Sequence, residues 1–441
     1  MPFSSRRPRG ALLAVSAKPA PDGAGSPWRA PGFRALMAAS GLGLTAASAT
    51  YVAAPLAAVL VLDAGPGEVG LLGLLGTVAF LLIGLPAGAW VDRLPARRVL
   101  MVAEAVRGTL LLSVPAAWWA GVLTLGQLCA VVLCVGVASV FVDVAALSVL
   151  PRLVGPGALL AANSAMAGLT AAGNVAGRGL GGAVVQLLGA PLALLGSGLA
   201  HLGSAWAVRG LDTGGGSGPA RGGDAAGAGV GSLWSRTAAG LRHVTGAPEL
   251  RALAWTGALA NLATSAVNTM LPLVFTRDLG LSGGALGVFW AVGGIGLFAG
   301  TRVARRLAGR FGHGRGIVLT DLWLAPTGLL VTALDEGAGL WAAGAGWFLF
   351  GARTGISNVL GVSLRQRLTD PGMQGRMNAV FRFLLTGASA VGAGLAAVLG
   401  SLWSPAAAVG AGGLVLCLSA LPTALSPLRR RRTLPEGLPA S

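Results

Sequence analysis

The sequence predicts an all-α integral membrane protein, with twelve transmembrane helices arranged as two parallel six-helix repeats around a central cavity. Three observations carry this expectation. The 441 residues are 54% hydrophobic and only 11% charged, too little charge to cover the exterior of a soluble domain. The charges sit in short clusters between apolar stretches of about 20 residues or more, the length a helix needs to cross a roughly 30 Å hydrocarbon core. Residues 152–180 also match residues 367–395 at an offset of 215 positions. Membrane strands would alternate in polarity over about 10 residues, and Leu71–Val91 and Ile317–Leu334 show no alternation.

The spans follow in order, with positive charge marking every second connection. An N-terminal tail, 1–34, carries Arg6, Arg7, Arg9, Lys18, Arg29 and Arg34. Its apolar stretch Ala11–Ala17 is too short to span, so a retained, disordered tail is expected. Spans at 35–61 and 68–91 lead to Arg93, Arg97 and Arg98. Spans at 98–120 and 122–148 lead to Arg152, and spans at 159–188 and 190–208 lead to the basic middle segment. Spans at 250–275 and 283–304 precede Arg305, Arg306, Arg310 and Arg315. Spans at 315–334 and 338–362 precede Arg365, Arg367 and Arg376, and spans at 376–400 and 404–425 precede Arg429 to Arg432. With twelve spans all these clusters fall on one side. The other side holds Asp63, Glu68, Asp335 and Glu336, with Arg277 beside Asp278. The positive-inside rule then places both termini in the cytoplasm, and the arginine-dominated, Gly/Ala-rich composition fits a bacterial cytoplasmic membrane. The expected domains are an N-terminal bundle 35–209, a flexible Gly-rich linker 210–249, a C-terminal bundle 250–425 and a basic tail 426–441.

Several functions are excluded. The net charge of +17 does not indicate nucleic acid, because the basic residues mark helix ends and short loops. Lys18 is the one lysine, so the membrane part holds neither a GxxxxGK[ST] phosphate loop nor a Schiff-base lysine. Cys129, Cys134 and Cys417 lie in apolar runs, and His201, His243 and His313 lack ligand-spaced companions. No cofactor and no metal site is expected. No His/Asp/Glu or Ser/His cluster stands at catalytic spacing, which argues against an enzyme.

The internal repeat supports two bundles. Arg152, Leu153, Pro156, Gly157 and Asn163 meet Arg367, Leu368, Pro371, Gly372 and Asn378, and at an offset of 217 Arg98 and Glu104 meet Arg315 and Asp321. The loop after the second span reads Gly88-Ala-Trp-Val-Asp92-Arg93-Leu-Pro-Ala-Arg97-Arg98. It resembles the G-x-x-x-D-R-x-x-R-R signature of the major facilitator superfamily, with one extra residue before the arginine pair. The fifth span carries Gly173-x-x-x-Gly177-Arg178-x-x-Gly181-Gly182, similar to the superfamily's antiporter signature but with Arg178 where proline is usual. Asn358-Val-Leu-x-x-Ser363-x-Arg365-Gln366-Arg367-Leu368, then Gly375-Arg376-Met-Asn378-x-x-x-Arg382, resembles the enterobactin-exporter-like branch, as do Phe33-Arg34 and Leu150-Pro151.

That resemblance implies a secondary transporter working by alternating access. The expected partners are a small hydrophobic or amphipathic substrate, such as a drug, antibiotic or siderophore, the lipid bilayer, and protons; a monomer is expected. An importer of the same fold, and a non-transporting sensor or scaffold, remain as alternatives. The resemblance gives Gly88, Asp92, Arg93, Arg97, Arg98 and Arg382 a role in conformational gating, with Asp92 facing Arg376 and Arg382.

Ionisable residues inside a bilayer cost at least roughly 2–3 kcal/mol each, so each is a candidate for function. Glu104 and Arg107 form an i,i+3 pair, and Asp321 and Arg353 lie at comparable depth. One reading makes these four a salt-bridge network locking the halves together; the other gives Glu104 a part in proton coupling. Asp143, whose repeat mate is the neutral Asn358, is the second proton-coupling candidate. Tyr51, Asn261 and Asn268 are the expected substrate contacts. Arg178, flanked by Gly177 and Gly179, has two readings: it faces the cavity, where its guanidinium fork suits acceptor-rich anionic groups, or it snorkels outward or binds carbonyls of a neighbouring helix.

The topology makes one direct prediction. A cysteine introduced at Ser217 resists an impermeant thiol reagent applied outside intact cells, and reacts once the cells are opened. Labelling from outside, above the native-cysteine background, would contradict the twelve-span arrangement.

Overall fold

The computed structural model describes residues 26–91, 94–210, 230–335, 337–370 and 372–430. Asp92, Arg93 and the glycine-rich stretch containing Ser217 lie outside the described residues, as do the surroundings of Gly88.

The described chain is helical throughout. The N-terminal half comprises α1 (Pro31–Val61), α2 (Pro66–Val91), α3 (Ala96–Trp119), α4 (Leu125–Leu188) and α5 (Ala190–Val208). After α6 (Val230–Gly246) the second half comprises α7 (Pro248–Leu273), α8 (Gly283–Phe311), α9 (His313–Leu324), α10 (Thr327–Leu330), α11 (Ala338–Arg367), α12 (Gln374–Leu402), α13 (Pro405–Leu418) and α14 (Leu421–Ala424). Local chemistry sets the starts. Proline occupies the first turn of α1, α5, α7 and α13, where its missing N–H costs nothing. Thr124, Ser282 and Ser404 cap α4, α8 and α13 by accepting from the N–H three residues on.

Among the described residues, ten helices are long and apolar enough to cross a membrane. The second limb of α4 and α11, which carry Arg178 and Arg353, complete the twelve. Two expected boundaries differ. The fourth and fifth spans run as one helical segment, α4, with no loop at 149–158. It still doubles back. Leu128 and Val131 near its start share an apolar cluster with Val185 near its end, whereas Val149 and Ala162 join Phe33, Val91 and Val208 in another. The reversal falls where Pro151, Gly155, Pro156 and Gly157, all poor helix formers, cluster. The expected linker, 210–249, ends in the packed helix α6. Val244 is buried with Leu250, Met377 and Phe381, Gly240 lies against the Arg376 backbone, and His243 Nε2 sits 3.1 Å from Thr369 Oγ1. Proline punctuates the last turns of two spans, at Pro326 between α9 and α10 and at Pro422 within α14.

The halves meet through small residues at the end opposite the described termini. A Cβ on Gly70 of α2 would lie 2.2 Å from the Ala397 Cβ of α12. One on Gly182 of α4 would lie 2.7 Å from the Gly287 Cα of α8. Only glycine lets the backbones come this close. Gly177 and Gly181 meanwhile let α4 press on Thr45 and Ala49 of α1. At the same end Arg277 Nη2 donates to Asp63 Oδ1 over 2.6 Å, although both groups are too exposed for the pair to add much stability.

A larger side chain at this contact forces the halves apart. Gly182→Leu is expected to disfavour the closed end by about 1–3 kcal/mol. Spin labels at Leu187 and Val288, both exposed at that end, would report a longer distance by electron resonance, and an unchanged distance would refute the close-packing argument.

Candidate functional site

Behind the closed end lies a cavity of about 330 Å³. It is walled by α1, α2, α3, α4 and α5 from the first half and by Asn268, Thr269 and Trp290 from the second. Its surface is mainly apolar, from residues such as Leu72, Leu111 and Val132, with a few convergent polar groups. That is the usual make-up of a small-molecule site.

Four side chains form one corner. Arg178 of α4 lays its guanidinium over the Tyr51 ring of α1, 4.9 Å from its centroid. Tyr51 leans on Trp290 with centroids 5.3 Å apart, and Trp290 Nε1 donates to Asn268 Oδ1 over 2.7 Å. That bond commits the Asn268 carbonyl and leaves its NH₂ group to donate elsewhere. Arg178 itself is not on the wall of the 330 Å³ cavity; with Asn268, Thr264 and Trp347 it lines a smaller adjoining pocket of about 170 Å³. Among the described residues no carboxylate pairs with Arg178, and its Nε is buried without a hydrogen-bond partner. The corner is therefore a donor-rich wall with a surplus positive charge. Of the two flanking glycines, Gly177 lies against Thr45 and Ser48 of α1, whereas Gly179 faces open space.

Asn261 is not part of this corner. Its Nδ2 donates to Gly257 O over 2.9 Å, and it lines a separate pocket inside the second half. Asn261 and Asn268 stand about two helical turns apart on α7, so spacing alone gives no sign that they line different pockets.

The acidic residues sort into three environments. Glu104 is buried: Oε1 accepts from Arg107 Nη1 at 3.1 Å, and Oε2 lies 2.6 Å from His201 Nδ1. Arg107 and His201, but not Glu104, reach the cavity wall. Asp321 occupies the matching place in the second half. Its Oδ1 accepts from Arg353 Nε at 2.9 Å and its Oδ2 from Thr423 Oγ1 at 2.8 Å. These two clusters do not lock the halves together, as one sequence reading had it; each ties helices within its own half. Asp143 does cross. Its Oδ2 accepts from Arg382 Nη2 of α12 at 2.9 Å, towards the end that bears the described termini, and Arg382 also lies 4.3 Å from the Phe80 ring centroid. Arg382 thus pairs with Asp143; its expected approach to Asp92 lies outside the described residues. Arg97 donates to the Arg209 carbonyl within the first half, and Arg98 is exposed. His201 was set aside in the sequence for want of metal-ligand spacing. A stronger signal was available, because an ionisable residue inside an apolar span is a functional candidate by default.

Comparison with known proteins now places the chain. The family profile of the Major Facilitator Superfamily matches residues 36–315, more than half the length. The chain belongs to the Major Facilitator Superfamily. Among solved structures it is similar to the nucleoside transporter NupG, with TM-score 0.72 at 10% identity, covering 89% of this chain and 97% of that one. It is also similar to a bacterial homologue of the iron transporter ferroportin in an inward-facing state, with TM-score 0.65 at 18% identity, covering 88% and 98%. A bacterial homologue of the lysosomal transporter Spinster gives TM-score 0.64 at 14% identity, covering 89% and 94%. Comparison with curated proteins yields no match. Members of this superfamily are membrane transporters, and this chain is a multi-pass membrane protein of that type.

The two kinds of ion pair differ in energy. Removing one partner of a buried pair costs about 3–5 kcal/mol, whereas an exposed pair contributes about 0–1 kcal/mol. Asp321→Asn is therefore expected to lower thermal stability in detergent strongly. Asp143→Asn, in a pair about half exposed, is expected to lower it little. Equal losses would show that the crossing pair is structural.

Proposed function

We propose that this superfamily member is a proton-coupled exporter of small amphipathic compounds with acceptor-rich or anionic groups. The observation that carries the reading is the Arg178 guanidinium on Tyr51, with no carboxylate partner among the described residues, beside the free Asn268 amide, where a small pocket lined by both Arg178 and Asn268 adjoins the mainly apolar cavity. An uncompensated charge there is costly, and a bound carboxylate or phenolate relieves that cost by bidentate pairing. The aromatic faces of Tyr51 and Trp290 hold the apolar body of the substrate.

Alternating access gives the transport cycle. The basic end of the bundle is read as cytoplasmic. With the glycine contacts closed at the other end, the cavity of this state faces inward. Export then loads substrate from the cytoplasm, breaks Asp143–Arg382 contact and its reformation in turn, and opens the Gly70–Ala397 and Gly182–Gly287 contacts. Each ligand or proton shifts the balance by binding one state better than the other. Export as the direction rests on the resemblance of residues 358–382 to the enterobactin-exporter-like branch. Glu104 and Asp143 are the coupling carboxylates in this reading, and the chain functions in the bacterial cytoplasmic membrane as a monomer with both termini inside.

Transport by purified protein in proteoliposomes tests the reading, with a panel of aromatic carboxylates set against neutral amides of the same shape. Arg178→Lys keeps the charge but loses the fork, and is expected to reduce carboxylate transport about tenfold or more while sparing the amides. No pH-driven movement of any compound would remove the exporter reading; equal losses for both series would remove Arg178 from the substrate site.

A further inference from the structure

The two buried acids are related by the internal repeat, yet they are finished differently. In the second half both oxygens of Asp321 receive hydrogen bonds, and Arg353 Nη1 goes on to donate to the Leu416 carbonyl. Thr423, the partner from the last span, also donates back to the Ala420 carbonyl. Every group is occupied, and a hydroxyl has no proton to exchange near neutral pH. In the first half, α5 supplies His201 where the last span supplies Thr423. His201 is fully buried, Nδ1 faces Glu104, and Nε2 has no partner although the residue lines the cavity. Arg107 likewise keeps an unpartnered Nε. A buried polar atom left without a partner is costly and calls for an explanation. Here the orphaned atoms belong to the one cluster that touches the cavity.

We infer that His201 is a proton-relay group between the cavity and Glu104, and that this cluster, not its Asp321 counterpart, carries the coupling proton. The inference rests on the proton-coupled reading above and names the site within it. With Glu104 ionised, its carboxylate can only accept, so Nδ1 bears the imidazole proton and Nε2 presents a lone pair. A proton arriving from cavity water binds Nε2. The Nδ1 proton passes to Glu104 Oε2, leaving a neutral imidazole protonated on Nε2 and a neutral carboxyl. One proton has entered and one charge has been cancelled. Arg107 Nη1 thereby loses its ionic partner.

The surroundings give that loss a consequence. The helices packed on α5 are α1, α3 and α4. From α3 come Glu104 and Arg107. From α4, Asp143 lies within electrostatic reach of Arg107. From α1, Tyr51 shares the cavity, Arg34 lies at the far end, and the helix holds no carboxylate. Arg107, released by Glu104, turns to Asp143 and competes with Arg382 for it, which weakens the pair that crosses between the halves. Protonation at His201 thus favours separation at the end bearing the termini.

The full chain in lipid nanodiscs, labelled at histidine, tests this by NMR. The chain has 3 histidines, so the signal lost in His201→Gln assigns the site. The inference expects that signal to titrate between about pH 5 and about pH 9, and to move by about one pH unit or more in Glu104→Gln. A signal that does not titrate, or that ignores Glu104→Gln, overturns it. In the second arm, spin labels sit at Ala161 of α4 and Arg305 of α8, both exposed, with the three native cysteines replaced by serine. Their distance is expected to change with pH in the parent and in Thr423→Ala, and to be fixed in His201→Gln. A pH response that persists in His201→Gln overturns the link to the gate. Neither arm uses a substrate, so failure to find one in proteoliposomes would bear on the exporter reading alone.

Discussion

The close approach of the two halves at one end is the constraint on which the rest depends. Backbone contact at Gly70–Ala397 and Gly182–Gly287 needs residues without bulk, and any Cβ there would fall inside its neighbour. The halves also touch towards the other end, through Asp143–Arg382 and Arg382 on the Phe80 ring, and the cavity lies between them. The same glycine-rich limb of α4 presses on α1 through Gly177 and Gly181, which sets Arg178 directly over Tyr51. The binding corner is thus a by-product of close packing, and the glycines determine both the closed end and the geometry of the cationic wall.

Charge is handled by the same economy of position. Glu104 in the first half and Asp321 in the second are buried acids that tie helices of their own half together, because an unpaired carboxylate in an apolar interior is prohibitively costly. Asp321 is saturated and reads as architecture. Glu104 is saturated only through His201 and Arg107, which line the cavity and each keep one buried nitrogen without a partner. Asp143–Arg382, by contrast, is the ion pair that crosses between halves away from the closed end, and it is half exposed. An exposed pair is weakly stabilising, which suits a contact that must break and reform. Rigid pairs inside the halves and a soft pair between them give two bodies able to rock as units.

Much of this was legible in the sequence. Apolar stretches of spanning length, the one-sided arginines and the repeat each act locally or along the chain, and together they gave the helices and their pairing into halves. Arg178 and Tyr51 stand out in the sequence as a guanidinium and a lone tyrosine inside apolar spans, and the structure brings the two into contact. Asn261 and Asn268 were indistinguishable by the same logic, being seven residues apart on one helix; packing sent one to the cavity and the other into the second half. The reversal at 149–158 and the helix α6 were misjudged because local composition favoured a loop and a linker, whereas continued helical hydrogen bonding and contact with α12 decided otherwise.

By itself the sequence determined class, span order, the two-half plan and the family, since hydropathy and charge are properties of each segment and need no partner. Tertiary structure decided the pairings: Arg382 with Asp143 across 239 positions, His201 with Glu104 across 97, and Arg277 with Asp63 across 214. The physical reason is that a charge in a low-dielectric interior takes the nearest opposite charge in space, and nearness between helices is set by where small residues let them touch.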